Sequence, residues 1–196
     1  ASASFVLLTL STSWNEILAS SVKPEGRVLL KISTLSVVFA LFISSKAEKP
    51  FFCLSVSSLD VSKLDTSNVT SMSAMFSGMS SLKSLNVSTF NTSKVTTMAS
   101  MFSNMQSLTD LNLSNFDTSN VTTMGAMFSG AYTLRTLDLS TFKTSKVTDI
   151  KSMFSNMGHL TQLNLSNFDF SNLTEASNLF YSDTTLNQVV LNNIVQ

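Results

Sequence analysis

The sequence is poor in the residues on which most chemistry and most cross-linking depend. It holds one cysteine, Cys53, and one histidine, His159. A single thiol excludes an internal disulfide framework and leaves the redox compartment open, and a single imidazole excludes a histidine-rich metal site. Charge is scarce, at 12% of residues against roughly 25% in an average domain. The 12 basic and 12 acidic side chains cancel, so no excess of one sign points to nucleic acid or to an acidic membrane surface. The motifs GxGxxG, GxxxxGK and HExxH and paired-cysteine metal motifs are missing. No enzymatic role, no cofactor and no metal site are therefore expected. The first methionine is Met72, and a chain beginning at Ala1 reads as a processed chain or a fragment.

What is present is repetition, which has to be sought early because it decides the fold. The stretch "TSNVTSMSAMFSG" (66–78) returns as "TSKVTTMASMFSN" (92–104), "TSNVTTMGAMFSG" (118–130) and "TSKVTDIKSMFSN" (144–156), with a worn copy "FSNLTEASNLFYS" at 170–182. Leu59, Leu85, Leu111, Leu137 and Leu163 are spaced by 26 residues. Five full units span 59–188, and a sixth begins at 189 and is truncated at 196. All ten methionines lie between 72 and 157, in the second half of a unit.

Each unit carries two patterns. In "SLKSLNVSTF" (81–90), Leu85 and Val87 alternate with Ser84, Asn86 and Ser88, the period of a strand with one buried face. In "VTTMASMF" (95–102), Val95, Met98, Met101 and Phe102 sit at i, i+3, i+6 and i+7. That spacing predicts one face of a short helix, with Ser93 as N-cap. Gly78, Asn104, Gly130 and Asn156 follow the "MFS" triplet, and these are the residue types that best tolerate the left-handed conformation after a helix. No unit can bury its own apolar face, but stacked units can. The expected core columns are Leu82 to Leu186, Val61 to Leu165, Phe90 to Phe168, Val69 to Leu173, Met75 to Met153 and Phe76 to Phe180. A methionine and phenylalanine stripe of this kind reads as core rather than as a binding box.

The "SLxxLxLS" half is the start of a leucine-rich repeat. The full unit, as in "LNLSNFDTSNVTTMGAMFSGAYTLRT", resembles the 26-residue repeat of the BspA-like leucine-rich repeat surface proteins. The resemblance covers about 59–196. It implies an extracellular or cell-surface location and a role in adhesion, without naming a ligand. The family's helix end, "SGCSSL", has lost its cysteine here to Met79, Met105, Ala131 and Met157. "CLSV" (53–56) keeps one, so 51–58 reads as the tail of a degenerate earlier repeat. The expected fold is α/β: a leucine-rich-repeat-like solenoid with one short strand and one short helix per unit, the strands stacked in a parallel ladder.

Residues 1–50 break the pattern and hold both prolines, Pro24 and Pro50. Three readings stand side by side. The segment could cap the open end of the stack, with "VKPEGR" (22–27) as a turn between "FVLLTL" and "RVLLKI". It could hold a secretory signal, with "LSVVFALFI" (35–43) as its apolar run, too short for a membrane span of ~20 residues. Or it could be a spurious frame upstream of true repeats.

The candidate binding surface is the exposed face of the strand ladder. One column is Ser84, Asp110, Thr136 and Gln162, and the next is Asn86, Asn112, Asp138 and Asn164. Strands at ~4.8 Å spacing would make a concave grid roughly 25 Å long, and solenoids tend to bind there. The expected partner is a host or cell-surface protein or a glycan, with no nucleic acid and no membrane insertion. The rival is a spacer whose faces bind nothing. The variation at 84, 110, 136 and 162 favours binding, and the near identity of the units favours the spacer. Sequons at Asn68, Asn86, Asn91, Asn112, Asn120, Asn164 and Asn172 recur with the repeat, which points to structural asparagine rather than to glycosylation. His159 is expected in solvent, and Asp149 and Glu175 are read as non-equivalent positions that form no carboxylate pair.

Overall fold

A computed structural model describes residues 57–191. The readings offered for 1–50 lie outside this range, as do most of 51–58 and the last five residues of the sixth unit. Five short strands follow in chain order: β1 (Ser58–Leu59), β2 (Ser84–Leu85), β3 (Thr136–Asp138), β4 (Gln162–Asn164) and β5 (Gln188–Val190). They form two parallel sheets, β1-β2 and β3-β4-β5. The register is 26 residues throughout: Leu59 opposite Leu85, Leu137 opposite Leu163, Leu163 opposite Val189. A single parallel bridge, Ser84 to Asp110, extends the first sheet. The alternation predicted for 84–88 holds, with Leu85 and Val87 buried and Ser84, Asn86 and Ser88 exposed.

The predicted helices are not there; among the described residues no helix forms. The second half of each unit is a chain of turns. In the first unit, N–H groups of Met75, Ser77 and Met79 donate to carbonyls of Met72, Ala74 and Phe76, three residues back. The alternate N–H groups, of Met72, Ala74, Phe76 and Gly78, donate to Thr97, Ala99, Met101 and Ser103 of the next unit. The same scheme recurs at 98–104, 124–131 and 150–156. Left-handed residues make it possible: Gly78 and Gly130 at φ 79° and 73°, Asn104 and Asn156 at 56° and 59°, and Ala74, Ser100, Ala126 and Ser152 at 54–57°. Sequence reading thus placed the left-handed Gly and Asn correctly but gave them the wrong partner structure. The physical reason lies in the spacing. A helix with its side chains is ~10–12 Å across, whereas units joined by backbone hydrogen bonds are ~4.8 Å apart. A thin turn chain lets the second half of each unit bond directly to its neighbour. Parallel bridges run without a break along this side, through Ser71, Thr97, Thr123, Asp149 and Glu175.

The core lies between the strand and turn sides, and it contains the predicted columns. Val95, Met98, Met101 and Phe102 are fully buried. Phe76, Phe102, Phe128, Phe154 and Phe180 stack face to face, with successive centroids 5.6–6.0 Å apart and planes within 12°. Centroid separations of ~4.5–7 Å are favourable for aromatic pairs. Burial fades in the last unit, where Leu173 and Leu186 are half-buried and Phe180 is 37% exposed.

Candidate functional site

The strand face pairs the candidate residues in two groups, Ser84 with Asp110 in one, and Thr136 with Gln162 and Asp138 with Asn164 in the other. Ser84, Asn86, Asp110, Asn112, Thr136, Asp138 and Gln162 are exposed, and Asn164 is half-buried. Ser84, Asn86, Asp110 and Asn112 share an open depression of about 320 Å3, lined also by Leu85, Val87 and Asn115. The two columns differ in what their side chains already do.

Asn86, Asn112, Asp138 and Asn164 each accept the backbone N–H two residues ahead, at 2.9–3.1 Å. Asx turns of this type end an extended segment, which is why the strands are so short. Asp138 is held below the usual carboxylate range by the Ser140 N–H it accepts, because a hydrogen bond to the charged form favours that form. Asp60, Asp65, Asp117 and Asp169 have the same arrangement with Ser62, Ser67, Ser119 and Ser171, and the same downward shift. These carboxylates are turn-formers. By contrast, the side chains of Ser84, Asp110, Thr136 and Gln162 make no hydrogen bond among the described residues.

A column that sequence reading overlooked holds the units together. Thr66, Thr92, Thr118 and Thr144 are buried. Each hydroxyl donates to the carbonyl 25 residues ahead, at 3.0–3.1 Å. Each also accepts the N–H of that same residue, at 2.7–2.8 Å. The available signal was an unchanged Thr in four successive "TS" dipeptides whose surroundings vary. Hydroxyl pairs Ser77–Ser103 and Ser129–Ser155, at 2.7 and 2.8 Å, add a second polar seam.

Two other expectations change. Asp149 and Glu175 occupy the same column and are bridged in register, since 26 residues separate them. Their carboxylates turn to different donors: Asp149 takes the Lys151 N–H and the Thr123 hydroxyl, and Glu175 takes the Ser177 N–H. His159 is half-buried rather than solvated, with its Nδ1 3.1 Å from the Tyr132 carbonyl. Among the sequons, Asn120 and Asn172 donate Nδ2, the atom a glycan would occupy, to Ser93 and Ser145 carbonyls of the preceding unit. Among the described residues no group of three His, Cys, Asp or Glu could hold a metal, and no helix is long and apolar enough to cross a membrane.

No curated protein and no solved structure matches the chain. One family matches twice in tandem, over residues 46–137 and 107–194. Two overlapping matches along one chain are what a repeated unit produces, and together they cover most of its length. The chain belongs to the repeat-containing family described as "Mycoplasma protein of unknown function, DUF285".

Proposed function

We propose that the chain is an extracellular or cell-surface solenoid module of the BspA-like leucine-rich-repeat kind. It binds a protein or a glycan through the Ser84–Asp110–Thr136–Gln162 column and carries out no reaction. The observation behind this reading is the division among the polar columns. The Thr column and the Asn/Asp column are engaged in joining units and closing turns. The column at 84, 110, 136 and 162 changes residue type from unit to unit, is exposed, and makes no side-chain hydrogen bond among the described residues. Side chains that hold nothing in the fold are available to a partner, and a column that differs at each level can distinguish partners.

The test is an alanine variant at Ser84, Asp110, Thr136 and Gln162, compared with the parent on panels of extracellular-matrix proteins and of glycans. The variant should melt like the parent, within ~0.5 kcal/mol per site, and lose binding. The spacer reading is favoured by the absorption of Asn86, Asn112, Asp138 and Asn164 into turns. It prevails if the parent binds nothing on either panel.

A further inference from the structure

Large exposed apolar side chains cluster at the end of the described array, at Phe170, Phe180, Tyr181 and Val189 to Leu191. Tyr132 is different: it lies within the array and is 49% exposed. Its column reads Ser80, Gln106, Tyr132, Gly158 and Thr184, so an aromatic ring appears once among small and polar residues. The ring lies across Gly158, where a Cβ would overlap Cε2 and come within 2.9 Å of Cδ2 and Cζ. His159 meets the ring edge-on, with centroids 4.7 Å apart and an 89° interplanar angle. The His159 backbone N–H donates to the Tyr132 carbonyl at 3.2 Å, and its Nδ1 lies 3.1 Å from the same oxygen. The next unit therefore both makes room for the ring and holds it. A ring fixed in place loses little freedom when something docks on it.

The ring borders an open depression of about 560 Å3, lined also by Asn104, Gln106, Ser107 and Asn156. That size lies within the ~300–1,000 Å3 of ligand clefts. Asn104 and Asn156 line the opening, and their side-chain amides make no hydrogen bond among the described residues. Gly130 gives the Asn104 amide its space, since a Cβ there would sit 2.7 Å from Asn104 Oδ1. No lining side chain is charged.

We propose that this depression binds a neutral saccharide, with Tyr132 as the platform. A pyranose has an apolar C–H face that packs on an aromatic ring and a rim of hydroxyls that both donate and accept. Primary amides and a serine hydroxyl match that rim in both senses. A phosphate or carboxylate ligand would find no cation here, and an apolar side chain would strand the amides. The site shares no residue with the strand column, so it stands or falls independently of that column.

The chain has two tyrosines, Tyr132 and Tyr181, so carbon-13 labelling of tyrosine gives a site signal and an internal control. Titration with maltotriose, cellotriose and chitotriose should move the Tyr132 ring resonances saturably with at least one sugar, while Tyr181 stays in place. Ligand-observed saturation transfer should be lost in Tyr132→Ala. It should also be lost in Gly158→Ala, which displaces the ring without removing it, with both variants checked for an unchanged circular-dichroism spectrum. Three results would each overturn the proposal: Tyr132 signals unmoved by every trisaccharide, equal movement of Tyr181, or parental saturation transfer in Tyr132→Ala.

Discussion

At the scale of single residues, the buried threonines explain how a polar side chain can belong to the core of a repeat. Thr118 is fully buried, and its hydroxyl serves both the N–H and the carbonyl of Lys143. A valine has the same shape and offers neither bond. Thr118→Val should leave two Lys143 backbone groups unpaired and cost at least ~1–3 kcal/mol. Thr118→Ser keeps the hydroxyl and should cost about 0.8 kcal/mol for the lost methyl. Urea melts of the pair decide this, and equal losses would mean that the hydroxyl is not holding the next unit. The sequence concealed this role because the Ser, Thr, Asn and Lys of "TSN" and "TSK" read as side chains turned to solvent. A single chain position gives no sign that its partner lies 25 residues ahead. The apolar columns were legible because burial alone accounts for them, as the full burial of Phe102 and Phe128 attests. The two strand-face columns looked alike because alternation reports exposure and not what an exposed amide is bonded to.

At the scale of the element, the helix expectation failed for a reason that the residues themselves contain. Successive turns closed by bonds to the third residue back bring side chains three apart to one side. Met72 and Met75, and likewise Phe76, Met79 and Leu82, therefore face the core with a spacing that also fits a helical stripe. The composition gave the better signal. Ser, Thr, Gly and Asn flank these positions, and they compete with helix through local hydrogen bonds and left-handed conformations. The two structures make opposite predictions for one substitution. In a helix, Ala126→Gly costs up to ~1 kcal/mol. With Ala126 at φ 54°, glycine relieves the left-handed strain of ~1–2 kcal/mol, which offsets its greater unfolded-state entropy. Ala126→Gly should therefore be neutral or stabilising in a denaturant melt, and a clear destabilisation would restore the helix.

At the scale of the whole molecule, the chain is joined by seams that all advance by one unit: paired strands, bridged turns, threonine clasps and stacked phenylalanines. The turn-side bridges are continuous from Ser71 to Glu175, whereas the strands fall into two sheets. The turn side thus carries more of the unit-to-unit bonding than the leucine-rich strand motif would suggest. Because every seam has the same step, removing one step should leave the others matched. Deletion of 118–143 joins Asp117 to Thr144, so Asp117 still meets Thr92 and Thr144 still meets Asp169. This variant should unfold cooperatively. Its denaturant dependence should be lower by roughly a fifth, since one of five full units no longer contributes surface on unfolding. Deletion of 118–130 removes half a unit and sets strand positions against turn positions. It offsets every seam beyond the cut and should abolish the cooperative transition. If the two deletions melt alike, the 26-residue step is not what holds the molecule together.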